Sequence, residues 1–289
     1  MDIDVSVIVP IYKGQKYIYK IIEMVQENIR YAFDKGKRIY VELIFVNDYP
    51  SENLVVVING EFNFPVVLIE NEKNLGIHQS RIKGVLKSRG KYILMLDQDD
   101  FIEECWIFSQ LECIGSADMV IGNGYRMFGD KRKRIYKDSL KRTLLTNETV
   151  YLKAANQIVS PGQCLIRKNS IPSEWIIKPI FANGGDDFFL WILMFEKKLK
   201  FNTNITEIYT HVDTGENVSR NLNAMIKSAR NVIDKLDEIC YVNKRNIMKY
   251  QRRIDYLSLL ANQNNAINRF LVHLRYIDIF VLKAIAYCI

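Results

Sequence analysis

The sequence predicts an α/β protein built on a mostly parallel sheet with helices on both faces. Three observations carry that expectation. Short apolar runs rich in β-branched residues alternate with stretches of helical periodicity. The runs are near-continuous rather than alternating, as expected of strands buried on both faces. One of them, Tyr92-Ile93-Leu94-Met95-Leu96, ends abruptly in Asp97-Gln98-Asp99-Asp100.

The elements follow in order. Val5 to Val9 forms a first strand in spite of Ser6, and an amphipathic stretch from Gln15 to Tyr31 follows it. Val41 to Val46 is the second strand and Val66 to Ile69 the third; a helix from Ile77 to Ser88 leads to the fourth, Tyr92 to Leu96, and Met119 to Ile121 is a fifth. The basic run Lys131-Arg132-Lys133-Arg134 is expected as a surface loop or β-turn. No internal repeat or low-complexity linker interrupts the chain.

At 289 residues, 48% hydrophobic and 25% charged, the chain is long enough for one large core plus an appendage, which excludes disorder. Its five cysteines are odd in number and lack CxxC spacing, a pattern of reduced, cytosolic thiols rather than disulfides or a zinc site. The acidic start Met1-Asp2-Ile3-Asp4 and the apolar run that stops at Pro10 resemble neither a signal peptide nor a membrane span, so the chain is expected to fold in the cytoplasm.

Three carboxylates at the end of a buried strand cannot stay in the core unpaired, so they project from its carboxyl end, where open α/β sheets bind ligands. Crowded carboxylates repel unless a cation sits among them, and Mg²⁺ or Mn²⁺ takes oxygen ligands and bridges to phosphate. The alternative is an acidic turn capping the next helix. The first turn, Pro10-Ile11-Tyr12-Lys13-Gly14, lacks GxGxxG, and there is no Walker A loop. A metal-carboxylate cluster therefore replaces a glycine cradle as the holder of a diphosphate.

The ordered set Val5-Ser6-Val7-Ile8-Val9-Pro10-Ile11-Tyr12, Glu42-Leu43-Ile44-Phe45-Val46-Asn47-Asp48, Asn74-Leu75-Gly76 with Ser80-Arg81-Ile82-Lys83-Gly84, and Leu96-Asp97-Gln98-Asp99-Asp100 resembles the successive motifs of the family 2 glycosyltransferases over residues 1 to 220. The resemblance implies a GT-A fold, a UDP-sugar donor, a divalent cation and inversion at the anomeric carbon. It places Pro10, Tyr12, Asp48, Arg81, Asp97 and Gln98 around the nucleotide sugar, with Asp48 at uracil N3, and makes Asp99 the principal metal ligand, with Asp97 on ribose or metal and Asp100 as its orienter. Asn47-Asp48-Tyr49-Pro50 departs from the usual Asp-Asp-Gly-Ser. Asn183-Gly184-Gly185-Asp186-Asp187 resembles the family's acidic pair, which makes Asp187 the catalytic base and Asp186 its acidic neighbour, with the glycines admitting the acceptor. Helix capping by the same pair is compatible with that role. His211, in Tyr209-Thr210-His211-Val212-Asp213, matches a histidine brought towards metal or diphosphate, although its spacing to Asn217-Val218-Ser219-Arg220 is unusual. Ser160-Pro161-Gly162-Gln163-Cys164 resembles the strand beneath the donor sugar, with Gly162 or Gln163 as a sugar contact. His78 and His273 are expected to be structural or surface residues.

The formal charge is +7, and residues 221–289 hold eleven Lys/Arg against five Asp/Glu. No nucleic-acid module accompanies that excess, so the implied partner is an anionic membrane surface, a second subunit or both. Phe270 to Ile289 is too interrupted by charge to span a bilayer and could lie in its interface or pack as a helix. The expected organisation is a GT-A catalytic domain over 1–220 and a helical region over 221–289 for acceptor, membrane or dimer contacts. Transfer of a sugar from UDP to a hydroxyl of a glycan, lipid-linked in bacterial surface polysaccharide synthesis, is the expected activity. A nucleotidyltransferase and an inactive carbohydrate-binding scaffold remain as alternatives.

Overall fold

The structure, a computed structural model, describes residues 2–58, 62–137, 143–181, 184–215 and 221–288. The chain forms two compact units, each made of separate stretches: residues 1–135, 159–171 and 200–214 in the first, and 136–158, 172–199 and 215–289 in the second. The segment 221–289 lies wholly within the second unit.

The first unit holds strands β1 (Val5–Ile11), β2 (Val41–Asn47), β3 (Val66–Glu70), β4 (Tyr92–Met95), β5 (Phe101–Ile102), β6 (Met119–Phe128), β7 (Lys131–Arg134), β8 (Cys164–Arg167) and β9 (Phe201–Val212). They form one sheet in the order β3-β2-β1-β4-β8-β6-β9-β5, with β7 paired to β6. The pairs β3-β2, β2-β1, β1-β4 and β6-β9 are parallel, and β8, β5 and β7 run antiparallel to their neighbours. Helices α1 (Ile18–Asp34), α2 (Val55–Ile58), α3 (Ile77–Lys87) and α4 (Trp106–Ile114) accompany it. Every residue of β1 and β2 is buried, which explains the unbroken apolar runs. On α1 the buried positions Ile18, Ile21, Ile22, Val25 and Ala32 recur at helical spacing, which presents one apolar stripe.

Two strands run further than their sequence suggests. β1 continues through Pro10, which lacks an N–H. Ile8 and Pro10 turn to the same neighbour; Leu96 N donates to Ile8 O at 2.9 Å, and the ladder with β4 ends there because Pro10 has no N–H to continue it. β6 continues past Ile121 through Gly122, Asn123 and Gly124, where its register against β9 shifts. A Cβ on Gly124 would meet the Tyr209 carbonyl oxygen at 1.9 Å, so only glycine lets the strands pass here. The expected loop at 131–134 is instead β7: β6 turns back on itself and pairs Arg126 with Lys133. All four residues of this edge strand are exposed, so it forms without any apolar residue.

The second unit comprises α5 (Glu148–Lys153), α6 (Ser173–Ile177), α7 (Asp186–Glu196), α8 (Leu222–Asp237), α9 (Lys244–Ala261), α10 (Ala266–Arg275) and α11 (Ile277–Cys288). Phe188 to Met194 of α7 are all buried, as in a helix that is apolar all round and central to its unit. The terminal segment is two helices, not one. Its inner face packs Tyr276 and Ile279 on Tyr256, and Leu282 and Ala286 on Leu144, Val150 and Ala154. The outer face presents Ile267, Phe270, Leu271 and Leu274, then Ile277, Phe280, Val281 and Ile285, to solvent. The first four follow the i, i+3, i+4, i+7 spacing of a face that soluble proteins normally bury.

Glu42 ties strand order to helix α3. Its buried carboxylate accepts from Ser6 Oγ (2.6 Å), from Arg89 N (2.6 Å) and from Arg89 Nε (2.9 Å). Burial pushes its pKa up, but those donors outweigh burial and hold it below the ordinary 4.5. A depressed folded pKa contributes stability that is in place above the unfolded value and lost as pH falls through the folded one. Glu42→Gln is therefore expected to cost about 1–3 kcal/mol at neutral pH. Thermal melts across pH 3 to 7 should also show a shallower acid decline than in the parent.

Candidate active site

The acidic loop is pinned at both ends and in its middle. Asp97 forms an ion pair with the Arg81 guanidinium and accepts from Ser160 Oγ at 2.9 Å. Gln98 makes a two-way amide pair with the Tyr12 backbone, accepting from its N at 2.9 Å and donating to its O at 3.1 Å, which fastens the end of β1 to the loop. Asp100 is buried and accepts from Tyr209 Oη, from His211 Nδ1 (3.0 Å) and from Val212 N (3.0 Å). Between these anchored neighbours Asp99 has no side-chain partner among the described residues. Burial, then the charges of Asp100 and Asp97, push its pKa up to about 6.

The same forces act on the partners. Burial raises the pKa of Asp100, while hydrogen bonding to His211 opposes it. For His211 burial favours the neutral ring, but the bond to Asp100 and the Asp100 charge prevail and raise its pKa. Burial and the Asp100 charge hold Tyr209 protonated, so its hydroxyl donates.

The other residues expected at the nucleotide have the following surroundings. Asp48 is buried, and its carboxylate accepts from Asn71 Nδ2 (2.9 Å), Leu75 N (2.7 Å) and Gly76 N (2.9 Å), anchoring the loop before α3. A carboxylate has about four acceptor positions, so one more donor can be received. Tyr12 is 43% exposed and meets Tyr49 edge to face at 5.3 Å, with Lys13 Nζ over both rings at 5.5 and 5.3 Å. Arg81 is not on the helix surface; it is buried, with Asp97 as its partner. Gly162 and Gln163 are both buried: Gln163 Nε2 donates to the Gly122 carbonyl at 3.0 Å, and a Cβ on Gly162 would press on the Tyr209 ring at 2.9 Å. His78 is buried in α3, and His273 meets Tyr256 Oη at 3.0 Å.

The second carboxylate pair opens α7 in the other unit. Gly185, in the left-handed region at φ 94°, precedes the helix, and a Cβ there would meet Ser228 Oγ at 2.8 Å. Trp175 Nε1 donates to the Asp186 carbonyl at 2.8 Å, and Asn156 Nδ2 donates to Asp187 Oδ2 at 2.8 Å. Asp186 is buried and Asp187 half-buried. Asn183 and residues 217–220 lie outside the described residues.

Sequence reasoning missed four groups: Ser160, Tyr209, Asn156 and the Val212 N–H. Only Ser160 carried a signal, as the residue that opens the Pro161-Gly162 turn. The other three act through contacts between residues distant in the chain.

The Glycosyl transferase family 2 domain matches residues 6–173. The chain belongs to that family. It is 34% identical over 95 residues to an uncharacterized glycosyltransferase of Haemophilus influenzae, a match covering 33% of this chain and 29% of that one. It is 28% identical over 125 residues to the glycosyltransferase GlyG of Streptococcus pneumoniae, covering 42% and 39%. The matches thus span well under half of either relative. Among solved structures, residues 1–349 of S. aureus TarS in complex with UDP-GlcNAc superimpose with a TM-score of 0.64 at 14% identity, over 96% of this chain and 82% of that one. The shared fold is GT-A.

GT-A members of the family commonly use a divalent metal, and the donor set here fits one sparingly. Among the described residues no cluster of three His, Cys, Asp or Glu ligands is assembled. Mg²⁺ and Mn²⁺, however, are usually held by one or two carboxylates plus substrate phosphates and water. Asp99, whose pKa is raised first by burial and then by the charges of Asp100 and Asp97, is the carboxylate of this loop without a side-chain partner among the described residues. His211 is oriented through Nδ1 by Asp100, as imidazoles that bind metals are commonly oriented by a carboxylate.

The Arg81–Asp97 pair is the contact on which the loop's first anchor rests. Arg81→Ala leaves the half-buried Asp97 carboxylate with Ser160 as its remaining side-chain donor among the described residues and is expected to cost about 1–3 kcal/mol. Chemical denaturation measures it; a loss below about 1 kcal/mol would show that Ser160 alone holds Asp97.

Proposed function

We propose that this chain is an inverting, metal-dependent glycosyltransferase that moves a sugar from a UDP-sugar to a hydroxyl of a glycan in bacterial surface polysaccharide synthesis. The observation that carries the reading is Asp99, the one carboxylate of a family 2 acidic loop left open while Asp97 and Asp100 are engaged. S. aureus TarS, whose fold this chain shares, has been solved with UDP-GlcNAc and with UDP, which supports a uridine nucleotide here.

In this reading Tyr12 and Asp48 receive the base, with Pro10 shaping the turn beside it. Arg81 and Gln98 act by fixing Asp97 and the end of β1. Asp99 and His211 hold Mn²⁺ or Mg²⁺, which supplies positive charge to the departing diphosphate. Asp187 takes the proton of the acceptor hydroxyl as the oxygen bonds to the anomeric carbon and the bond to diphosphate breaks. One base and no covalent nucleophile suffice for inversion. Asn156 and the first turn of α7 aim that base, and Asp186 fills the neighbouring acidic position. Residues 1–220 serve as the catalytic region, and 221–289 make acceptor, membrane or dimer contacts.

Asp99→Asn is expected to abolish UDP release from a UDP-sugar and to weaken Mn²⁺-dependent UDP binding, with the melting temperature unchanged. Full turnover in EDTA would rule out the metal. Asp187→Asn should lower kcat by about 10² or more while donor affinity holds. A larger loss in Asp186→Asn would move the base one position.

No described helix is long and apolar enough to cross a membrane. The outward stripes of α10 and α11 support peripheral contact with a bilayer carrying a lipid-linked acceptor. Phe270→Ser with Leu274→Ser should then abolish co-sedimentation with anionic vesicles. If the parent ignores vesicles and sediments as a dimer that the double variant breaks, the stripe is a subunit interface.

A further inference from the structure

The β6–β7 hairpin carries five cations, Arg126 and Lys131 to Arg134, and strand alternation sorts them onto two faces. On one face each arginine has a partner. Arg132 Nη2 lies 3.3 Å from Glu103, with its guanidinium 3.8 Å from the Tyr125 ring centre, and Arg134 Nη2 lies 2.5 Å from Glu207. The other face holds Arg126, Lys131 and Lys133, all exposed and, among the described residues, without a carboxylate at ion-pair distance.

The sheet register gives these cations a direction. Lys133 and Arg126 are direct partners across β7 and β6, and Arg126 and His211 are direct partners across β6 and β9. Partners in register share a face, so Lys133, Arg126 and His211 form a row across three adjacent strands. The row ends at the acidic loop, because His211 holds Asp100 at 3.0 Å. Asp100 does not balance the row: its carboxylate is buried and already accepts from Tyr209, His211 and Val212. Like charges set directly opposite destabilise a strand pair, and an anion between them reverses the sign of that interaction.

We propose that Lys133 and Arg126 form a phosphate-binding row beside His211, which takes a phosphate or diphosphate group of a substrate. Arg126 offers a fork of N–H donors and Lys133 a mobile point charge, a combination suited to phosphate oxygens. The group can come from the donor's diphosphate or from a phosphate carried by the acceptor. The proposal goes beyond the transferase reading, since it is tested by binding without sugar or turnover.

Calorimetry with inorganic pyrophosphate, without added metal and at fixed low ionic strength, compares the parent with two double variants. Arg126→Gln with Lys133→Gln should weaken pyrophosphate binding by about tenfold or more. Arg132→Gln with Arg134→Gln, which removes the same charge from the opposite face, should change it by about twofold or less. The first variant should melt no lower than the parent, since it relieves a like-charge pair. A parallel loss of affinity for UDP with Mn²⁺ assigns the row to the donor diphosphate. Unchanged UDP affinity, with pyrophosphate still binding the UDP-saturated protein, assigns it to the acceptor. No measurable pyrophosphate binding in the parent, or equal losses in both variants, overturns the row.

Discussion

A buried carboxylate, Asp100, joins the acidic loop to a strand more than a hundred residues away, and the geometry of the first unit's site depends on it. β5 pairs with β9 through only two residues, Phe101 with Thr210 and Ile102 with Tyr209, too few to fix a loop. Asp100 adds contacts from Tyr209, His211 and the Val212 N–H, so its burial is compensated and the end of β9 cannot slide. With Asp97 held by Arg81 and Ser160 at the other end, the loop has one orientation left. Asp99 is displayed because its neighbours are not.

This arrangement separates two tasks that crowded carboxylates would otherwise mix. Asp97 and Asp100 are engaged by the protein's own groups, while burial and then their charges raise the pKa of Asp99 between them. The cations of β6 and β7 begin on the strand next to His211, so carboxylates and cations stand within a few strands of each other. A metal-bound diphosphate has that same dual character, a positive ion beside spread negative oxygens.

Much of this was legible in the sequence because it rests on short-range pattern. The strands from Val5, Val41 and Tyr92 are continuous apolar runs buried on both faces, and the half-buried edge strand from Val66 keeps the same apolar pattern. Lys131 to Arg134 was illegible for the opposite reason: an edge strand exposed to water needs no apolar residues, so its composition mimics a loop. β6 runs past Ile121 through Gly122 and Gly124, residues without apolar side chains to mark a strand, and close passage of β9 is what requires the second of them. In the site, residue types named the loop but not its wiring. Asp48, Arg81 and Gln98 were expected to face the nucleotide, and each is also engaged by the protein's own groups. Tyr209 and Asn156 gave no signal, since a lone tyrosine or asparagine acquires meaning only from what folds against it.

The second unit is gathered from three stretches of chain, with the first unit's strands threaded between them. Its terminal helix α11 closes over Leu144, Val150 and Ala154, residues encoded well upstream of the helical tail. A genetic crossover that exchanged only the last seventy or so codons between two such genes would therefore swap Leu282 and Ala286 while leaving behind the surface they were fitted to. A replaced terminal helix would keep its fit only by paired change on both sides of that seam.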